Sequence, residues 1–254
     1  PQTTNKWQNS EIEGIDIMLA IDVSTSMLAE DLKPNRLEAA KDVAAEFING
    51  RPNDNIGITL FAGESFTQCP LTVDHAVLLN LFQGIKCGII EDGTAVGMGI
   101  ANAVTRLKDS KAKSKVIILL TDGTNNKGDI SPMTAAEIAK SFGIRVYTIG
   151  VGTNGMAPYP YPVGNTVQYV SMPVEIDEKT LTEIAGTTDG NYFRATSNSK
   201  LKEVYEEIDK LEKTKLNVKE YSKRDEEYHW FALAAFLCVL LEVLLRNSVL
   251  KKIP

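Results

Sequence analysis

Apolar runs of strand length recur along the chain, separated by more polar stretches. Four of them span 15–21, 56–62, 116–120 and 145–151, and a short fifth spans 191–194. Successive apolar residues, rather than alternating ones, are typical of parallel strands that are covered on both faces. The segment 66–72 is expected to be an antiparallel edge strand or one strand of a hairpin. The runs therefore predict a sheet that is mostly parallel.

Helical periodicity fills the stretches between these runs. Apolar residues recur at helical spacing over 37–47, 96–107, 138–142 and 201–211. Pro34 stands where the first of these helices is expected to begin, and Gly50 and Gly143 stand where two of them are expected to end. Alternation of strands and helices predicts an α/β fold with a doubly wound, mostly parallel sheet.

The stretch 152–173 interrupts this alternation. It contains prolines at 158, 160, 162 and 173 and tyrosines at 159, 161 and 169. It is too long for an ordinary connection between a strand and a helix, so we predict a loop or hairpin insertion. Tyr159 and Tyr161 belong either to a partner contact or to a packed loop, and the sequence leaves both readings open.

The end of the chain has a different character. Residues 230–245 carry a single charge, Glu242, and with the extension to 250 the stretch is long enough to cross a bilayer. Trp230 and Arg246 mark the two membrane interfaces. We predict a domain over 12–212, a charged stalk over 213–228 and one C-terminal transmembrane helix over 229–249. An amphipathic or core helix is the alternative, and Glu242 is expected to contact another membrane helix or to reach an interface.

Composition excludes several classes of function. The net charge is -6, which argues against a nucleic-acid backbone as the main partner. The cysteines at 69, 87 and 238 match no zinc motif, and three free thiols are favoured over a Cys69–Cys87 pair. Only two histidines, His75 and His229, are present and they lie far apart, so a histidine metal cluster is excluded.

Short polar residues with oxygen-bearing side chains follow two of the predicted strands. Asp22, Ser24 and Ser26 follow the first strand, and Asp122 follows the strand 116–120. Between them, Thr94 opens a predicted helix. Because the carboxyl ends of parallel strands lie along one edge of a sheet, these five side chains are expected to meet there.

Carboxylate and hydroxyl oxygens suit a hard divalent cation, Mg²⁺ or Mn²⁺. Magnesium takes six oxygens at roughly 2.0–2.1 Å and keeps several waters. If one aspartate binds through water, the cation stays electron-poor, and a carboxylate from outside can replace a water. The pattern therefore predicts a binding device in which a protein partner supplies an Asp or Glu as the last ligand.

The set Asp22, Ser24, Ser26, Thr94 and Asp122 resembles the metal-ion-dependent adhesion site of von Willebrand A domains, and the resemblance covers roughly 12–212. It implies that the three hydroxyls are ligands and that the aspartates bind directly or through water. The motifs at 21–27, 91–97, 119–123 and 147–152, with the apolar C-terminal stretch, look like BatA-type aerotolerance proteins of bacteria.

That second resemblance implies a location and partners. Such proteins are membrane-anchored and are encoded alongside MoxR-type AAA+ ATPases, so we expect other Bat-type membrane proteins and such an ATPase among the partners. The bacterial inner membrane is the expected location. Arg246, Lys251 and Lys252 after the span favour a periplasmic domain, which would prevent direct contact with a cytosolic ATPase. Since the chain begins at Pro1, we expect a fragment or a processed form.

Three other functions compete with this one. A haloacid-dehalogenase-like phosphatase also places an aspartate after its first strand with Mg²⁺, but the residue two beyond Asp22 is Ser24 rather than a second aspartate that could act as general acid. A serine hydrolase would need a Ser–His pair, but His75 lies at an expected helix start and the chain contains no Gly-x-Ser-x-Gly. A scaffold that never binds metal is the third alternative. We expect a binding protein and not an enzyme.

Overall fold

The computed structural model describes residues 14–153, 155–164 and 166–220, together with six separate positions between 233 and 243. Within the described part, the residues up to Leu216 belong to one compact unit. The strands of the described part are β1 Asp16–Asp22, β2 Asn55–Phe61, β3 Ser65–Thr72, β4 Lys115–Thr121, β5 Ile144–Val151, β6 Met156–Val163, β7 Thr166–Pro173 and β8 Tyr192–Ala195. The helices are α1 Arg36–Asn49, α2 His75–Gln83, α3 Val96–Leu107, α4 Pro132–Ser141, α5 Glu178–Thr187 and α6 Asn198–Glu220, and a 3-10 turn spans Thr25–Leu28.

Six strands form one sheet in the order β3-β2-β1-β4-β5-β8. All neighbours in it are parallel except β2 and β3. This confirms the mostly parallel sheet, and it shows that the segment 66–72 lies in an antiparallel edge strand. The register sets Ile21 of β1 beside Leu120 of β4, so Asp22 and Thr121 end their strands side by side. The order reverses direction at β1 and β4, and the crevice at such a point is where open α/β sheets bind ligands.

Both faces of the sheet are covered, which explains the continuous apolar runs. On one face Ile17, Leu19 and Ile21 pack in a cluster with residues of α1, α2 and α6. On the other face Met18 and Ala20 pack with residues of α3, α4 and α5. Every residue of β1 is buried, because successive side chains of a strand point to opposite faces and both faces contact helices.

Local signals fix most helix ends. The side chain of Asn35 accepts a hydrogen bond from the Glu38 amide, so α1 begins at Arg36 rather than at Pro34. Gly143, at φ +65°, ends α4 as expected. Helix α5 was not predicted, because it is short and its buried positions are only Leu181, Ile184 and Ala185.

The stretch 152–173 forms a hairpin, which confirms the predicted insertion. Strands β6 and β7 pair antiparallel from Met156 with Pro173 to Val163 with Thr166, in a two-stranded sheet of their own. Gly164 in the connecting turn has φ +58°, a conformation that turns of this kind require.

Most of the predicted transmembrane helix over 229–249 lies outside the described residues. Among the described residues, none of the helices is both long and apolar enough to cross a bilayer. Helix α6 continues through Glu220, so the first part of the predicted stalk, 213–220, is helical.

The buried carboxylate of Glu212 attaches the second half of helix α6 to the sheet. Glu212 is 1% exposed, and it accepts hydrogen bonds from Ser114 Oγ at 2.7 Å, Tyr147 Oη at 2.6 Å and Arg145 Nε at 2.8 Å. Burial opposes ionisation of this carboxyl group, but the hydrogen bonds from Arg145, Tyr147 and Ser114 hold the pKa of Glu212 below its usual value. Since Ser114 and Arg145 lie at the beginnings of β4 and β5, the attachment is at the amino edge of the sheet.

Replacing Glu212 by alanine should lower the free energy of unfolding by about 3–5 kcal/mol, because Arg145 would lose the carboxylate that neutralises it. Glu207→Ala, at an exposed position of the same helix, should change it by less than about 0.5 kcal/mol. Urea unfolding of the two variants measures the difference. Equal, small losses would contradict the fastening role of Glu212.

Candidate metal centre

The loop after β1 is held in a fixed shape by its own backbone and by the second loop. The Ser24 amide donates to Asp22 Oδ1 at 2.9 Å, which turns the chain back toward the end of the strand. Asp92 accepts from both the amide and the hydroxyl of Thr25, at 3.0 and 2.8 Å. The 3-10 turn Thr25–Leu28 then directs Ser26 toward the neighbouring strand β4.

Four of the five predicted ligands are connected by hydrogen bonds. Ser24 Oγ lies 3.0 Å from Ser26 Oγ, and Ser26 Oγ donates to Asp122 Oδ1 at 2.7 Å. Asp22 joins this group through the Ser24 amide, and its other oxygen accepts from Thr121 Oγ1 at 2.6 Å. The loops after β1 and β4 therefore meet at the carboxyl edge, as the order of the strands requires.

Thr94, the fifth residue, reaches the same edge from the loop before α3. It is 4% exposed, and its amide donates to Asn126 Oδ1 at 2.8 Å. Its hydroxyl lies against Gly123, where a Cβ atom would be only 3.3 Å from Thr94 Oγ1. The glycine after Asp122 thus leaves room for the threonine hydroxyl.

A buried arginine connects Asp122 to a third aspartate. Arg36 Nη1 donates to Asp122 Oδ2 at 2.7 Å, while its Nε and Nη2 donate to the two oxygens of Asp31, each at 2.7 Å. Asp31 also accepts from the amide and the hydroxyl of Thr153, at 2.8 and 3.1 Å. Gly152 has φ +140°, and a Cβ atom there would lie 2.8 Å from Arg36 Nη2. The network therefore runs from Asp122 to the base of the β6–β7 hairpin.

The two aspartates of the site differ in their surroundings. Burial, followed by the nearby charge of Asp122, raises the pKa of Asp22 from 3.8 to about 7. Burial also raises the pKa of Asp122, but the Arg36 guanidinium opposes this rise. Asp31 is the opposite case: burial opposes its ionisation, but the hydrogen bonds from Arg36 and Thr153 and the charge of Arg36 together lower its pKa to about 2. Burial therefore raises the pKa of both aspartates, and only Asp122 has an arginine beside it that opposes the rise.

The side chains that could bind a cation at this edge comprise three hydroxyls and only two carboxylates. Within the ranges that the structure describes, His, Cys, Asp and Glu side chains form no group of three or more that could hold a metal ion. Cys69 and Cys87 are free thiols, and burial together with the charge of Asp122 raises the pKa of Cys87 to about 12. Any cation at this edge would depend on hydroxyl oxygens and water, which hard cations accept.

Sequence reasoning missed the residues that support the five. Arg36 and Asp31 belong to no recognisable motif, because their partners Asp122 and Thr153 lie 86 and 122 residues away along the chain. Thr121 and Asp92 lie next to predicted ligands, but adjacency along the chain does not reveal which atoms they contact. Their roles follow only from the folded positions of the loops.

A family model described as von Willebrand factor type A domain matches residues 16–207. An uncharacterized protein from Borreliella burgdorferi is 28% identical over 255 residues, which cover 100% of this chain and 75% of that protein. A UPF0353 protein from Mycolicibacterium paratuberculosis is 34% identical over 209 residues, or 74% of this chain. The match spans only 58% of that relative's length.

Two solved structures from Bacteroides are similar over the whole of their own chains. BatB from Bacteroides thetaiotaomicron is 34% identical to this chain, with a TM-score of 0.69. The match covers 79% of this chain and 100% of the BatB chain. An aerotolerance-related membrane protein from Bacteroides fragilis is also 34% identical, with a TM-score of 0.67, over 78% of this chain and 100% of its own. The predicted likeness to Bat-type proteins is confirmed, and the named neighbour is BatB rather than BatA.

A third similar structure supports the fold and nothing beyond it. Proximal thread matrix protein 1 from the mussel byssus, solved with a zinc-occupied MIDAS motif, is 24% identical, with a TM-score of 0.61, over 78% of this chain and 45% of its own.

The raised pKa of Asp22 predicts a stability that depends on pH in the absence of metal. The folded chain binds the Asp22 proton more tightly than the unfolded chain does, so this contribution is fully present below about pH 4 and is lost as the pH rises through about 7. Asp22→Asn should therefore raise the free energy of unfolding, in chelator near pH 8, by on the order of a few kcal/mol. The gain should shrink near pH 5, and thermal or urea unfolding at the two pH values measures it.

Asp122→Asn is the matched control for that experiment. Near pH 8 it should raise the free energy of unfolding by less than Asp22→Asn does, because it also removes a charged partner of the buried Arg36. A gain from Asp122→Asn that equals or exceeds the gain from Asp22→Asn would show that Arg36 does not distinguish the two aspartates.

Proposed function

Because this chain belongs to the von Willebrand factor type A domain family, we propose that it binds a protein partner through a divalent cation, Mg²⁺ or Mn²⁺. The cation would be held by the side chains of Asp22, Ser24, Ser26, Thr94 and Asp122. A carboxylate of the partner would be its last ligand. The protein would act as a binding module and not as an enzyme.

The spacing of the oxygens is the observation that carries this proposal. Two ligands at right angles, each roughly 2.0–2.1 Å from a magnesium ion, lie about 3 Å apart. The Ser24 and Ser26 hydroxyl oxygens are 3.0 Å apart, and Ser26 Oγ is 2.7 Å from Asp122 Oδ1. The hydrogen bonds between these groups are those that a cation would replace, so the loops need little rearrangement to accept it.

The charges around the site favour an acidic partner. Arg36 occupies one oxygen of Asp122, which leaves only the other, Oδ1, facing Ser26. Thr121 likewise donates to one oxygen of Asp22. The chain therefore offers few anionic oxygens to the cation, and a cation with such a shell retains a strong attraction for an outside carboxylate.

Further parts of the proposal concern the location of the protein. The domain over 12–212 would be followed by a charged stalk over 213–228 and by a transmembrane helix over 229–249. We place it in the bacterial inner membrane with the domain in the periplasm. Its partners would include other Bat-type membrane proteins, and a MoxR-type ATPase would act with that complex from the cytosol. The likeness to an aerotolerance-related membrane protein supports this placement.

Adding Mg²⁺ or Mn²⁺ should raise the thermal midpoint of the full chain, because a ligand that binds only the folded state stabilises it. The expected gain is about 2.7 kcal/mol when the free cation is at about 100 times its dissociation constant. Asp22→Ala should abolish the shift, whereas Asp42→Ala, at an exposed position of α1, should retain it. If the thermal midpoint of the wild-type chain is the same with cation and with chelator, the chain binds no metal and the scaffold alternative holds.

Capture of a partner from bacterial membranes should need both the cation and Asp22. With immobilised wild-type chain and Mg²⁺, a partner should be retained and then released by chelator. Asp22→Ala should retain none of it, and Asp42→Ala should retain as much as wild type. Retention that is equal in Mg²⁺ and in chelator would mean that the partner binds elsewhere on the domain, even if the cation itself binds.

A further inference from the structure

The β6–β7 hairpin is an uncharged surface on an acidic protein. Residues 156–173 contain no Asp, Glu, Lys, Arg or His, although the whole chain has a net charge of -6. Every residue of β7 is exposed, and Tyr169 and Val167 are 60% and 57% exposed. Uncharged strands at the edge of a sheet are open to pairing with another strand, and proteins ordinarily protect such edges with charges, prolines or bulges.

Prolines prevent the outer edge of β6 from donating backbone hydrogen bonds to another strand. The carbonyl oxygen of Pro158 accepts a hydrogen bond from the Glu30 amide at 2.8 Å, so this residue directs its backbone away from β7. Alternate residues of a strand direct their backbone groups to the same side, so Pro160 and Pro162 also face outward. Because proline has no N–H, this edge has no donor at these three positions.

The outer edge of β7 is open. Ser171, Tyr169 and Val167 lie opposite the three outward-facing prolines in the register, so their N–H and C=O groups also point away from the partner strand. None of them is proline, and the only strand beside β7 in the described part of the chain is β6. The edge thus offers three donors and three acceptors at alternate residues.

We propose that a second copy of this chain pairs with this edge, β7 against β7, in antiparallel register about Tyr169. The edge is self-complementary under a two-fold axis: Val167 faces the partner's Ser171, Tyr169 faces the partner's Tyr169, and each pair exchanges two hydrogen bonds. The product is a four-stranded sheet in the order β6-β7-β7-β6. Both of its outer edges carry the three prolines, so the assembly stops at two copies.

Charge and geometry favour a second copy as the occupant. Two chains of net charge -6 repel each other over most of their surfaces, and the hairpin brings them together where neither carries a charge. The Tyr169 hydroxyl donates to Glu30 Oε1 at 2.9 Å, on the side where β6 contacts Glu30, so its ring does not cover the open edge. Four strands also make a more stable sheet than an isolated pair.

The dimer is expected to be weak. Edge pairing of two eight-residue strands buries much less than the roughly 1,600 Å² of a standard interface. For so small a contact we expect a dissociation constant in the micromolar range or above. The inference does not depend on the metal site, and it holds with or without a bound cation.

Sedimentation velocity of the full chain, from about 1 to 500 µM, tests the pairing with two matched double variants. Val167→Pro/Ser171→Pro removes two outward N–H donors at positions where an edge strand tolerates proline. Val167→Ala/Ser171→Ala shortens the same side chains and keeps the donors. Wild type and the alanine variant should shift from monomer to dimer with concentration, and the proline variant should stay monomeric with an unchanged thermal midpoint.

Amide exchange of the wild type provides a second readout that needs no variant. The Tyr169 amide should become protected as concentration rises, while the amides of Gln168 and Val170, which face β6, should not change. A wild type that stays monomeric, with Tyr169 exchange independent of concentration, would overturn the proposal and leave the edge to a strand of another protein. Dimerisation of the proline variant at wild-type strength would also overturn it, since the contact would then lie elsewhere.

Discussion

The ion pair between Arg36 and Asp122 decides how the carboxyl edge of this sheet can carry two buried aspartates. Two carboxylates in one buried site repel each other and lose their hydration, which is costly unless a charge or a proton compensates. The Arg36 guanidinium compensates the charge of Asp122, whereas burial and the nearby charge of Asp122 raise the pKa of Asp22 to about 7. In the proposed metal centre, the charge of a divalent ion would compensate both carboxylates.

The sheet, and the meeting of Asp22, Ser24, Ser26 and Asp122 at its carboxyl edge, could be inferred from the sequence, since both depend on local pattern. Continuous apolar runs identified the buried parallel strands, and parallel strands bring the residues that follow them to one edge. That rule alone predicted that Ser26 and Asp122, 96 residues apart along the chain, would be close. Helix α5 was missed because three buried positions make too weak a period.

The supporting contacts could not be inferred, because they are made between side chains that no spacing connects. An arginine at a helix start is ordinarily a solvent-exposed residue, and only the fold shows that Arg36 lies between Asp31 and Asp122. The same network continues to Thr153 at the base of the hairpin. This network connects Asp122, in the loop after β4, to the residues that precede the hairpin.

Crystals of the protein grown with Mn²⁺ would locate the ion most directly, through its anomalous scattering. A single peak should lie at a coordination distance of about 2.1–2.2 Å from oxygens of Ser24 and Ser26, near Thr94 and Asp122, with at least one position filled by water or by a carboxylate from outside. Arg36 should remain paired with Asp122 Oδ2. Absence of a peak at saturating Mn²⁺, with the Ser26–Asp122 hydrogen bond intact, would contradict the proposed metal centre.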